Sequence, residues 1–125
     1  MHPKSPKWLQ DIADACGLIR LATRDHALAT YEQDAVIRSA VERNFEIIGE
    51  ALNRIRRTDP ATAARVPEHD DIIAFRSLLI HGYDVVDHAR VWQVIQEDLP
   101  RLQEQVQRLL EEVCAAVLRH EEDEL

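Results

Sequence analysis

The 125-residue sequence predicts an all-α fold, an up-and-down bundle of four to five helices. Three observations carry this. Apolar residues recur three and four apart through most of the chain, the spacing of one helix face. Hydrophobic residues make up 46% and charged ones 30%, with three glycines, a balance of soluble helical domains rather than of disordered or β-rich chains. The stop and start signals (Ser5-Pro6, Asp34, Asp59-Pro60, Gly82) fall between the periodic stretches. At this length the chain reads as one domain over residues 1–125, with its acidic end, 119–125, expected to fray.

Taken in order, Ser5 before Pro6 is a cap-and-first-turn pair, and Leu9, Ile12, Cys16 and Ile19 follow on one face, so the spacing predicts a helix from Pro6 to about Thr23. Residues 24–33 read as a loop or short helical turn in which Tyr31 packs. Asp34 caps a second helix whose stripe is Ile37, Val41, Phe45, Ile48, Leu52 and Ile55, the clearest periodicity present; it ends near Arg57, because Asp59-Pro60 resists helix. Gly49 inside it costs about 1 kcal/mol relative to alanine, which close approach by another helix, the first or the one near residue 76, would explain. Residues 60–66 read as a short helical connector and 67–71 as a loop, with an aspartate capping the next helix. Beyond it, Asp84 and Asp87 are both possible caps for a region carrying Ile95, Leu99, Leu102, Val106, Leu109, Val113 and Val117. That stripe keeps its phase across Pro100, as two collinear helices or one kinked helix would, and serves either the bundle or a dimer seam.

Composition excludes several function classes. There is no apolar run long enough to cross a membrane, and the first residues lack the apolar core of a secretion signal, so the expectation is a cytoplasmic protein without membrane contact. Cys16 and Cys114 lie on predicted apolar faces without metal spacing and read as core residues. His69-Asp70-Asp71 has metal-ligand chemistry but no second ligand pair at helical spacing, so neither a metal nor a cofactor is expected. The net charge of −8, four units of it in residues 121–124, argues against nucleic acid. Arg54, Arg56, Arg57 and Arg65 nevertheless cluster around Asp59, either as a phosphate-facing patch or as solvated charges complementing a helix terminus.

The stretch from Asp71 to Asp84 carries the chemistry. From Ile72 to Ile80 it is apolar on every side except at Arg76 and Ser77, the pattern of an interior helix. An arginine there cannot shed its charge and must meet an anion, a carbonyl cluster or a wet cleft; Glu50 is a candidate counter-ion, an exposed carboxylate being the alternative. Gly82 supplies the helix stop, leaving His81 at the last helical position and Tyr83 just beyond. On a continuous helix Arg76 and His81 would diverge by about 140°. Spacing alone leaves open a core helix with one snorkelling arginine and a capping histidine.

The combination Arg76-x4-His81-x-Tyr83 resembles the HEPN superfamily, specifically its HepT-like (DUF86) branch. Ile47-Ile48-Gly49-Glu50-Ala51 is similar to that family's second-helix signature, and Val91-Trp92 with Glu97-Asp98-Leu99-Pro100 to the stretch after the motif. These blocks, in order, cover roughly residues 34–103. The loop before the motif helix departs from the family, with Glu68-His69-Asp70-Asp71-Ile72 in place of an Ile-Pro-Trp-like segment.

The resemblance implies a toxin of a toxin–antitoxin pair: a metal-independent ribonuclease acting on tRNA or mRNA, working as a homodimer. In it Arg76 and His81 are catalytic, Ser77 supports by holding phosphate or water, and Tyr83 receives AMP from a minimal nucleotidyltransferase (MntA-like) antitoxin. The chemistry is consistent, since a histidine moves protons near neutral pH and a guanidinium holds phosphate at two points. Two other readings stay open: a non-catalytic nucleotide- or partner-binding module, which the acidic charge favours, and a plain helical adaptor.

Overall fold

A computed structural model of the chain describes residues 1–66, 69–81 and 86–124, apart from the side chains of Leu78, Ile80 and His81. Among them every regular element is a helix: α1 (Ser5–Thr23), α2 (Leu28–Gln33), α3 (Ala35–Thr58), α4 (Pro60–Ala63), α5 (His69–His81), α6 (His88–Glu97) and α7 (Leu99–Glu124). The all-α expectation holds, and among the described residues the count rises from four or five to seven because α2 and α4 are short connectors of six and four residues.

α3 is the spine. Asp34 caps it by accepting from the Ile37 N–H at 3.1 Å, as the sequence implies. Its stripe from Val41 to Ile55 is buried against Leu9, Ile12, Cys16 and Ile19 of α1. α7 closes the other side of α1 with Leu99, Leu102, Val106 and Leu109. Fully burying one such aliphatic side chain stabilises by roughly 1.5–3 kcal/mol, so this three-helix seam is the core. Tyr31 of α2 is fully buried, its ring 5.3 Å from that of Trp92 on α6, which fixes the connector where the sequence expected it to pack.

Several local expectations change. Ser5 lies inside α1 rather than capping it, because its hydroxyl donates to Asp59 Oδ2 at 2.8 Å. Asp59 accepts there also from the His2 N–H at 3.0 Å and the Thr62 hydroxyl at 2.6 Å, and so ties the N-terminus to the α3–α4 corner. The arginines do not form one patch around it: Arg54 pairs with Glu50, Arg56 with Asp70 and Arg65 with Glu112. α5 begins at His69, earlier than expected, with Asp70 and Asp71 in its first turn, where carboxylates favour the positive end of the helix dipole. Nor is α5 interior on all sides. It packs on α3 through Ile72 and Ile73, with Phe75 edge-on to Phe45 at 5.1 Å, and leaves Ala74 and Ser77 exposed.

Asp87 accepts from the Arg90 N–H at 3.1 Å and caps α6; Asp84 lies outside the described residues. The stripe across Pro100 is two helices joined at Asp98, whose N–H still reaches the Val94 carbonyl and whose carbonyl still accepts from Leu102. Val117 and Cys114 are exposed, since α7 outruns the bundle there, so Cys114 is not a core residue; Cys16 is, and burial pushes its thiol up to about 12. The acidic end is helical as far as Glu124, with His120 and Glu124 an i,i+4 pair at 2.9 Å.

Candidate functional site

Gly49 explains how an arginine comes to sit on α3. A Cβ at that position would overlap the Arg76 side chain, lying 2.6 Å from both its Cγ and its Cδ. The close approach expected at this glycine is therefore made by the motif helix, and specifically by the arginine's own stem. With the stem laid across α3, the guanidinium emerges beside the next residue, and Arg76 Nη2 lies 3.2 Å from Glu50 Oε2. The Arg76 side chain is 26% exposed, half-sheltered at the mouth of a cleft of about 300 Å³ between α1, α3 and α5. Its Nε is buried and has no hydrogen-bond partner among the described residues.

Glu50 serves two cations. Its other oxygen accepts from Arg54 Nε at 3.0 Å, one turn further along α3. Two guanidinium groups thus share one carboxylate. The cleft also takes in Trp8 from α1 and the Arg43–Glu46 pair, 3.3 Å apart, from α3. Trp8 and Arg43 were not singled out from the sequence, and Arg54 was grouped with the wrong neighbours. The signal that could have found them is the i, i+3, i+7, i+11 run of Arg43, Glu46, Glu50 and Arg54, which marks one face of α3.

Ser77 is exposed as a residue and donates to the Ile73 carbonyl at 3.3 Å within its own helix. His81 is the last residue of α5; its side chain, and Gly82 and Tyr83 altogether, lie outside the described residues. Of the sequence-predicted residues, then, the structure brings Arg76 and Glu50 together. His69 has its ring nitrogens near the Val66 carbonyl and Asp70, and among the described residues no group of three or more His, Cys, Asp or Glu is arranged to hold a metal ion. No described helix is long and apolar enough to cross a membrane.

Such a site, a guanidinium with unused donors in a half-sheltered cleft, can take an oxyanion in two-point contact. Comparison with known proteins agrees in kind. The family model described as ribonuclease HepT-like matches residues 12–109. A Thermococcus cleftensis protein named "Probable ribonuclease HepT" is 33% identical over 102 residues, 82% of this chain and 92% of that protein. Methanocaldococcus jannaschii "Putative RNase MJ1380" is 30% identical over 100 residues, 80% of this chain and 91% of that protein. No solved structure matches. With the family model spanning most of the chain and the blocks around Gly49, Arg76 and Trp92 inside the matched span, the protein belongs to the HepT-like ribonuclease family of the HEPN superfamily.

Proposed function

We propose that this chain is the toxin of a toxin–antitoxin system, a metal-independent nuclease that cuts mRNA or tRNA with Arg76 and His81. The observation that carries the reading is the guanidinium of Arg76: cradled by Gly49, aimed by Glu50, and left with a buried N–H to donate. In the cleavage step a neutral imidazole of His81 takes the proton of the ribose 2′-OH as that oxygen attacks the phosphorus. The P–O5′ bond breaks, and the leaving 5′-oxygen receives a proton from an imidazolium. A 2′,3′-cyclic phosphate and a 5′-hydroxyl result. Arg76 offsets the extra negative charge on the phosphorane, which is where such a group contributes most. A homodimer would supply two histidines to one cleft, one as base and one as acid. Ser77 can accept from a water as it stands, but would donate to phosphate only by giving up its bond to the Ile73 carbonyl.

A minimal nucleotidyltransferase antitoxin would silence the site by attaching AMP to Tyr83, two residues beyond His81, placing bulk and a negative phosphate where RNA must bind. Intact-mass analysis after incubation with ATP and that partner should show added AMP in the wild type and none in Tyr83→Phe.

Cleavage of total tRNA and mRNA in excess EDTA, with wild type, Arg76→Ala and His81→Ala compared, tests the nuclease itself. The expected outcome is chelator-resistant cleavage that drops by about 10²-fold or more in each variant. Equal background in all three would overturn it in favour of a nucleotide-binding module, the reading the net charge of −8 favours.

A further inference from the structure

The ion pairs around Arg76 leave a charge unanswered. Asp11 is held by Lys7 at 3.0 Å and Glu46 by Arg43 at 3.3 Å, so those carboxylates are matched one to one. Glu50 is not: one of its oxygens faces Arg54 and the other Arg76. Among the described residues the Arg54–Glu50–Arg76 triad carries one uncompensated positive charge, and Arg76 Nε, on the same side of the guanidinium as Nη2, is buried without a partner. A buried donor on a charged group without a partner is costly unless something completes it, and of the acceptors open to it an anion makes the strongest bond. Trp8, half-buried, contributes to the α1 wall of the same cleft, with the ring of His2 stacked at 6.3 Å. An arginine pair beside an indole is how proteins hold single-stranded nucleic acid, the phosphate on the guanidinium groups and the base on the ring.

We infer that this cleft is a nucleotide subsite beside the cleavage centre, in which Arg54 and Arg76 together hold a phosphate of single-stranded RNA and Trp8 stacks the attached base. Glu50 is the positioning residue that keeps the two guanidinium groups apart and in register for one phosphate. The inference rests on the proposed nuclease reading for its substrate, but not for its binding chemistry. It assigns Arg54 and Trp8 to substrate contact, which the Arg76–His81–Tyr83 motif does not.

Binding of a fluorescein-labelled 2′-O-methyl RNA oligonucleotide, which has no 2′-hydroxyl to react, measures the subsite apart from cleavage. Arg54→Ala should weaken binding by about 10-fold and lower the slope of log K against log salt by about 0.7, the value for one lost phosphate contact on a single strand. Trp8→Leu should weaken it by about 5- to 100-fold without changing the salt slope, and Trp8→Phe should recover most of the loss. Unchanged melting temperatures in Arg54→Ala separate these losses from misfolding. Wild-type affinity in both Arg54→Ala and Trp8→Leu would overturn the inference, as would inorganic phosphate displacing the oligonucleotide at its own binding strength, which marks a free-anion site. Binding that depends on Arg54 and Trp8 in a protein that cuts no RNA would retire the nuclease reading and keep the subsite. Cleavage that needs Arg76 and His81 but ignores Arg54 and Trp8 would do the reverse.

Discussion

Two carboxylates on α3 gather polar partners in opposite ways. Asp59, at the C-terminal cap, is almost wholly buried and accepts from the Thr62 hydroxyl and N–H, the His2 N–H and the Ser5 hydroxyl, all groups that carry no charge. Glu50, nine residues earlier and half-exposed, is divided between two arginines, and one of those arginines keeps a buried N–H unused. The first node is closed: every donor points inward, and the carboxylate ends three chain segments at one corner. The second is open, with positive charge in excess and a cleft in front of it. A fold needs nodes of the first kind; a node of the second kind costs stability unless something binds there. The difference separates a polar node that is complete in itself from one that is open to a ligand, without reference to any sequence motif.

Gly49→Ala should give the largest effect, because it strikes the open node through its support. The added Cβ meets the Arg76 stem near the α5 backbone, where no flexible tip can swing aside, so α5 or the guanidinium must shift. A displacement of about 1 Å is enough to cost about 10²-fold in rate. The helix itself gains about 1 kcal/mol from alanine, which offsets part of an overpacking cost of about 1–3 kcal/mol. RNA cleavage should therefore fall by about 10²-fold while the melting temperature moves by only a few degrees. Wild-type cleavage in this variant would show that the position of Arg76 over Gly49 does not matter to the reaction.

Asp59 should behave in the opposite sense. Asp59→Ala leaves the Ser5 and Thr62 hydroxyls without their acceptor and removes the α4 cap, a loss of about 2 kcal/mol, with cleavage per folded molecule unchanged. Burial alone would raise this carboxyl, but the hydrogen bonds from Thr62, His2 and Ser5 outweigh it and hold the group well below the usual carboxylate range. A depressed folded-state pKa means the stabilisation is complete above the unfolded value of about 3.9 and is lost progressively as pH falls through the folded one. The melting difference between wild type and Asp59→Asn should accordingly be full at pH 7 and shrink below about pH 4. A difference undiminished between pH 7 and pH 3 would mean that the node acts through shape and not through charge.

Most of the fold was legible in the sequence because helix periodicity is local. The α3 stripe, the Asp34 cap and the break before Pro60 each follow from a few neighbouring residues, and all stand where the spacing puts them. The interior glycine at 49 was legible as a close approach, and Glu50 as a candidate partner of Arg76, because both concern one crossing of two helices. What was not legible depends on which distant groups meet. Ser5 reads as a cap until Asp59, 54 residues away, takes its hydroxyl. Cys114 sits on an apolar stripe, but the stripe runs past the end of the bundle, which only tertiary packing decides. Of the site, the meeting of Arg76 and Glu50 was legible and the rest of the cleft was not: Trp8 comes from another helix, and nothing near it in sequence points to a cleft.

The arginines near Asp59 give the smallest effect and the sharpest control. Sequence proximity places Arg54 and Arg56 in one basic cluster, whereas two residues on a helix diverge by about 200°, so the pair cannot share a face. Arg56 pairs with Asp70 at 2.9 Å, where both side chains are largely in water, and exposed pairs of this sort contribute little. Arg56→Ala should shift the melting temperature by less than about 2 °C and leave both oligonucleotide binding and cleavage at wild-type levels. If instead Arg56→Ala weakens binding as much as Arg54→Ala, the relevant feature is the net charge near the end of α3, and the open node at Glu50 loses its special standing. Equal charge removed at two neighbouring positions with unequal loss of binding is the result that ties function to the triad's geometry.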